Sequence, residues 1–170
     1  MNRCWLLGAM IIGLGHKARR GKGAVAAHLC NSYGFQQIDF ATALYDECRQ
    51  LHGMTDKDPL LLQHWGQHRR DHDGQYYWVE RVAEHIERNP ADYVITDVRY
   101  VNEAAWVTAQ GAPLWRVERK DGTLEDIGRD PNHESEIALD GFAGWQRTIW
   151  NDGSLDDLHR QIDTIMLEMA

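Results

Sequence analysis

The sequence predicts an α/β protein in three layers, with a mostly parallel sheet of five strands held between helices. Three observations carry this. Short apolar runs take turns with stretches of helical period along the 170 residues, an order that builds parallel neighbours joined by helices. The run Met10-Ile11-Ile12 leads into a glycine-rich turn and then a helix. A second apolar run, Tyr93-Val94-Ile95-Thr96, ends in Asp97, which sets a carboxylate at a strand tip.

The first strand opens the most informative stretch, Gly13-Leu14-Gly15-His16-Lys17-Ala18-Arg19-Arg20-Gly21-Lys22-Gly23, before Ala24-Val25-Ala26-Ala27-His28-Leu29. Strand, glycine- and cation-rich turn, and helix in that order make a phosphate-binding loop. Glycines let successive N–H groups curl round an anion, the helix start adds partial positive charge, and a lysine reaches the outer phosphates. The candidates for binding a nucleotide's phosphates are therefore Gly15, His16, Lys17, Ala18, Arg19, Arg20, Gly21, Lys22, Gly23 and Ala24. Two features depart from the usual pattern. His16 stands where a glycine is expected, with Gly15 one residue early, and Gly23 and Ala24 offer no hydroxyl for magnesium. A basic surface turn is the alternative reading.

The helix over 21–33 stops at Gly34, where glycine tolerates a left-handed cap. Phe35 to Phe40 reads as a strand and Ala41 to Leu51 as a helix, with Phe40 as core and Asp39 as a helix cap in the plainest reading. Pro59 opens a helix carrying Leu60, Leu61, Leu62 and Trp65. His64, His68 and His72 follow at intervals of four, but no glutamate completes a metal pattern and Gly66 and Gly74 weaken the helix. Arg69 and Arg70 are better candidates for an anion. Tyr76 to Arg88 is helical by period, with Val79, Val82 and Ile86 on one stripe, and Asn89-Pro90 ends it.

At the tip of the next strand, Asp97 suits magnesium or its water. Arg99, two residues on, could clamp a phosphate with two parallel hydrogen bonds. A helix over 102–110 stops at Gly111, and Leu114 to Val117 is a strand that leads to Glu118-Arg119-Lys120. Residues 120–136 are polar and long for a connection, as lids are, and Arg119 and Arg129 could reach in from them. His133-Glu134-Ser135-Glu136 lacks the third partner of a serine nucleophile. Arg147 to Trp150 is the last strand. Ser154 caps a final helix whose Leu155, Leu158, Ile162, Ile165 and Met169 form an apolar stripe.

A formal net charge of −8 argues against coating a nucleic acid. Lys17, Arg19, Arg20 and Lys22 concentrate positive charge in one loop, which suits a small, multiply charged ligand. Cys4, Cys30 and Cys48 are odd in number and form no pairwise motif, pointing to a reducing, cytoplasmic setting. No apolar run is long enough to span a bilayer.

Taken in order, these landmarks resemble the phage-type deoxynucleoside monophosphate kinases, P-loop NTPases of the nucleoside monophosphate kinase group. The likeness runs from Ile11 to about Ile165. It rests on Gly15 to Lys22, on Leu61-Leu62-Gln63 with Gly66 and Arg70 before Tyr77-Trp78-Val79, and on Thr96-Asp97-Val98-Arg99-Tyr100 with Asn102-Glu103-Ala104. His133 with Ser135-Glu136 and Asn151-Asp152-Gly153-Ser154-Leu155 complete it. Animal-type phosphomevalonate kinases are similar in the same places. The resemblance implies one P-loop kinase domain over residues 1–170, with a short lid at about 120–136. It also implies transfer of the γ-phosphoryl group of ATP to the 5′-phosphate of a deoxynucleoside monophosphate, with magnesium, in the host cytoplasm for a phage-encoded chain.

Carried over by residue, Lys22, Asp97, Arg99 and Arg119 act in catalysis, Asp97 serving the metal. Arg70 and Arg99 would grip the acceptor phosphate, and Asp39, Phe40, Arg69, Trp78, Glu103, Arg129, Ser135 and Glu136 are further candidates for meeting the acceptor. The implied partners are small nucleotides rather than nucleic acid or membrane, and a homodimer stays open. Gly23-Ala24 departs from the family's Asp, Ser or Thr, which keeps two rivals in play: a kinase of phosphomevalonate or of a modified base in DNA, and a nucleotide-binding module without catalysis.

Overall fold

Strands buried on both faces read as unbroken apolar runs, and β1 (Ile11–Gly15) is buried at every position. The computed structural model describes residues 9–120 and 134–169. Within them β1 is the centre of a five-stranded sheet with β2 (Gln36–Ile38), β3 (Tyr93–Val98), β4 (Leu114–Glu118) and β5 (Arg147–Trp150). The order is β2-β3-β1-β4-β5 and every pair is parallel.

Side-chain alternation divides the interior between two faces. Ile11, Tyr93, Ile95 and Leu114 join one core with Val79, Val82 and Ile86 of α4 (Tyr77–Arg88) and Ala104 and Val107 of α5 (Val101–Ala109). Ile12, Leu14, Val94 and Trp115 join the other with Val25 and Leu29 of α1 (Lys22–Tyr33) and Leu158 and Ile162 of α7 (Leu155–Met169). The fold is thus the three-layer α/β architecture that the alternating runs predict. Among the described residues no helix is long and apolar enough to cross a membrane.

Outside the layers, α2 (Ala41–His52) and α3 (Pro59–Asp73) pack over a small cluster of Cys48, Met54 and Leu62. Asp58 caps α3 by accepting from Leu60 N–H and Leu61 N–H, each at 3.0 Å, with Pro59 in the first turn. The helix runs through Gly66 because a close neighbour needs the space. A Cβ there would stand 3.3 Å from Leu44 Cδ2, and the Gly66 carbonyl accepts from Trp78 Nε1 at 3.2 Å.

Some boundaries differ from the sequence reading. β2 is only three residues, paired from Gln36↔Tyr93 to Ile38↔Ile95, so Asp39 and Phe40 form the turn into α2 rather than a strand. The apolar stripe of α7 buries Leu158, Ile162 and Met166, while Leu155 is exposed. Ser154 does cap it, its Oγ accepting from Asp157 N–H at 3.2 Å. Of the expected lid, residues 121–133 with Arg129 and His133 lie outside the described residues, and 134–136 belong to a short helix, α6 (Glu134–Ile137).

Candidate active site

In a parallel sheet all strands end at one edge, and a crevice forms where neighbouring connections leave in opposite directions. Here that happens beyond β1 and β3. β1 runs into the glycine loop, which reaches α1 through Gly21 at φ +103°. The loop's two departures from the usual pattern have physical reasons. His16 adopts φ +82°, the left-handed backbone a glycine would take without strain. Its ring pairs through Nε2 with Asp140 Oδ1 at 3.1 Å, while Nδ1 stands 2.8 Å from Glu118 Oε1 without hydrogen-bond geometry. Burial pushes this imidazole below its ordinary pKa, against the pull of Glu118. Gly15 answers to packing: a Cβ there would meet the Trp145 ring at 2.5 Å.

Lys22 is buried, and its Nζ donates to the carbonyls of His16 at 2.9 Å and Lys17 at 2.6 Å. The ammonium therefore lies inside its own loop, 3.9 Å from Asp97 Oδ1 at the tip of β3. Arg99 Nε donates to that same oxygen at 2.7 Å. The ammonium, carboxylate and guanidinium expected from separate stretches of sequence thus converge.

Two clefts meet at this point. A loop cleft of about 600 Å³ is lined by Ala18, Arg19, Gly21, Lys22, Gly23 and Ala24, with Gln37 and Thr96. A helix cleft of about 770 Å³ runs along α2 and α3 past Leu44, Tyr45, Gln63, Gln67 and Arg70 to Tyr100, Ser135 and Glu136. Asp39, Asp97 and Arg99 line both. Burial raises the Asp39 carboxyl pKa and the Asp97 charge adds to the rise. Arg70 stacks on the Tyr100 ring at 4.3 Å, and among the described residues it makes no ion pair.

Other expected contacts do not face the clefts. The side chains of His16, Lys17 and Arg20 turn to acidic groups away from the loop cleft. Lys17 Nζ is 3.0 Å from Asp140, and Arg20 donates to the Arg119 carbonyl with Glu118 nearby. Arg69 is a correction. It sits one residue from Arg70, about 100° round the helix, and is bound to Glu47 at 2.8 Å and Asp73 at 3.0 Å. Phe40 is core, 4% exposed and edge-on to Trp106. Trp78 is 2% exposed and packs against α3. Arg119 is exposed and lines neither cleft.

Glu103 is also corrected. It is fully buried, and its carboxylate accepts from Arg99 N–H at 2.8 Å and Tyr100 N–H at 3.1 Å. It shapes the loop carrying Arg99 and lines neither cleft. His68 stacks on Trp65, and His72 lies tilted against His68.

Sequence reasoning missed two residues. Asn151 Nδ2 donates to the Arg20 carbonyl at 3.2 Å and lies where a Cβ on Gly21 would fall, 2.1 Å away. Glu47 ties α2 to α3 and α4 through Trp65 Nε1 at 2.8 Å, Arg69, and the Tyr77 hydroxyl. Asn151 opens the Asn151-Asp152-Gly153 turn quoted for the resemblance, but nothing local assigns it to the loop, and no local pattern announces Glu47. The cleft face of α3 could have been found, since Leu60, Gln63, Gln67 and Arg70 follow helical spacing.

No family model matches the chain. A protein of Acanthamoeba polyphaga mimivirus named "Putative deoxynucleotide monophosphate kinase" is 23% identical over 186 residues, spanning 90% of this chain and 94% of that one. Among solved structures, the dephospho-CoA kinase of Campylobacter jejuni aligns at TM-score 0.58 and 13% identity, over 94% of this chain and 96% of its own. The shikimate kinase of Acinetobacter baumannii in complex with shikimate aligns at TM-score 0.57 and 17% identity, over 94% of each chain. At these identities the likeness is one of fold: the chain has the three-layer α/β architecture of the P-loop kinases.

Proposed function

We propose that this chain is an ATP-dependent P-loop kinase that phosphorylates the 5′-phosphate of a deoxynucleoside monophosphate. The observation that carries the reading is the pair of clefts sharing Asp39, Asp97 and Arg99. A loop of backbone amides with Lys22 suits the polyphosphate of a donor. The longer cleft, with Arg70 and Arg99 at one end and Tyr45 and Leu44 along its wall, suits a phosphate joined to a flat, half-apolar body. The name of the mimivirus relative points to the same acceptor class.

An acceptor phosphate oxygen is a competent nucleophile near neutral pH, so no catalytic base is assigned. That oxygen bonds to the γ-phosphorus as the bond from the γ-phosphorus to the β–γ bridging oxygen breaks, and the electron pair leaves on ADP. The protein's task is to align two polyanions and cancel their repulsion. Lys22 serves the donor side of the transfer and Arg70 the acceptor side, while Arg99, which lines both clefts, serves the phosphoryl group between them.

The oxygen donors fit magnesium, a hard cation that binds one or two carboxylates and keeps several waters. Asp97, with Asp39 beside it, would hold the ion, which would neutralise charge on the donor phosphates. Gly23 supplies no hydroxyl, and this favours the second reading, a module that binds nucleotide without turnover.

ADP release, measured with the four deoxynucleoside monophosphates, phosphomevalonate and DNA as acceptors, tests the proposal. Turnover with a deoxynucleotide supports it. Turnover with one of the other acceptors alone moves the activity to that class, and ATP binding without turnover on any acceptor overturns the kinase reading.

A further inference from the structure

A buried carboxylate that accepts from a phosphate-loop amide and from an arginine on the neighbouring strand tip marks a position for an oxyanion. Glu136 of α6 is such a group, 4% exposed. Ala18 N–H donates to its Oε2 at 3.1 Å, and Arg99 Nη1 donates to its Oε1. Ala18 lines the loop cleft, Glu136 lines the helix cleft, and Arg99 lines both. The carboxylate is therefore held at the junction, between the place for a donor's terminal phosphate and the place for an acceptor. These donors, a loop amide and a guanidinium, are the kind of groups that bind phosphate oxygens.

We propose that the Glu136 carboxylate is a place-holder for the migrating phosphoryl group, an inference that rests on the kinase reading above. It occupies the oxyanion position in the free protein and gives up Ala18 N–H and Arg99 when the γ-phosphate of ATP takes them. Two consequences follow. Arg99 stays neutralised and fixed beside Asp97 until substrate arrives. ATP, which must displace a like charge, binds more weakly than the site's donors alone would allow, because only the fraction of molecules with Glu136 displaced is competent. ADP lacks the γ-phosphate and does not compete with Glu136.

Calorimetric titration of the full chain with magnesium-ATP and magnesium-ADP, without acceptor, compares wild type with Glu136→Gln. Glutamine keeps the side-chain length and an oxygen for Ala18 N–H but removes the charge opposing the γ-phosphate. The expected result is a fall of about tenfold in the ATP Kd, with the ADP Kd unchanged within roughly twofold. Unchanged or weaker ATP binding overturns the proposal, and so does an equal gain for both nucleotides, which would reflect charge relief at no particular position.

A measurement on the unaltered chain does not depend on the variant folding. The Ala18 amide resonance is expected to shift on ATP addition and to stay within its line width on ADP addition. Equal shifts overturn the place-holder. If wild type binds neither nucleotide, the kinase reading falls and takes this inference with it. If it binds both without the contrast, only this inference falls.

Discussion

Replacing Glu103 by glutamine should stabilise the protein at alkaline pH and do little in acid. Glu103 is fully buried at the start of α5, and desolvation raises its pKa from 4.5 to about 7 despite the hydrogen bonds from Arg99 N–H and Tyr100 N–H and the nearby charge of Arg70. The folded pKa lies above the unfolded one. The stability linked to its proton is therefore fully present below about 4.5 and is lost as the pH rises through about 7. At about 1.4 kcal/mol per pKa unit, the loss approaches roughly 3 kcal/mol once both states are ionised. Glutamine keeps a carbonyl oxygen for the two amides and has no charge to bury. Urea denaturation of both proteins between about pH 4 and pH 9 reads the difference directly. The variant's advantage should grow from near zero around pH 4 towards roughly 3 kcal/mol at pH 8. A difference that does not vary with pH, or a variant that weakens as pH rises, would refute the reasoning. It would mean that the two amides and Arg70 stabilise the carboxylate more than burial penalises it.

Lys22→Ala should weaken use of ATP, and Arg99→Ala use of both ATP and the acceptor, by about 1.5–3 kcal/mol for each lost charge-assisted contact; steady-state kinetics with each substrate varied checks this, and an Arg99→Ala effect confined to one substrate would contradict it. Gly23→Ser should tighten magnesium-dependent ATP binding, since Gly23 lines the loop cleft and no atom lies within 4 Å of a Cβ at that position; calorimetry at several magnesium concentrations checks it. Gly21→Ala should lower stability by about 2 kcal/mol or more, because its φ of +103° is strained for alanine and the new Cβ would lie 2.1 Å from Asn151 Nδ2; an unchanged melting temperature would contradict that.

The sheet was legible because strands covered on both faces leave continuous apolar runs, and β1 and β3 showed theirs together with the groups at their tips. That Lys22, Asp97 and Arg99 would come together could be expected for the same reason: Asp97 and Arg99 lie at the end of β3 and Lys22 closes the loop that leaves β1, and parallel strands deliver their ends to one edge. Contacts between distant stretches were not legible. Arg69 and Arg70 are equivalent in composition, and only Glu47, 22 residues before Arg69, decides which of them is consumed by an ion pair. Glu103 and Glu136 carry the same carboxylate as any surface glutamate. Their roles depend on whose amide comes to rest beside them, Arg99 and Tyr100 for one and Ala18 for the other.

The acidic balance of the chain and its basic loop fit together once partners are assigned. Of the four cations in the loop, Lys17 stands against Asp140 and Arg20 near Glu118, so those two contribute little net field to the loop cleft. Arg19 and Lys22 line it, and Lys22 is already in contact with loop carbonyls and close to Asp97. Counting cations in the sequence thus overstates the attraction the cleft offers an anion. The sharper selectivity comes from position. An entering phosphate must offer Ala18 N–H and Arg99 better partners than the carboxylate of Glu136 does, and a group able to do that has to bridge both clefts at once. A lone anion in the loop, however highly charged, reaches only one side of that junction.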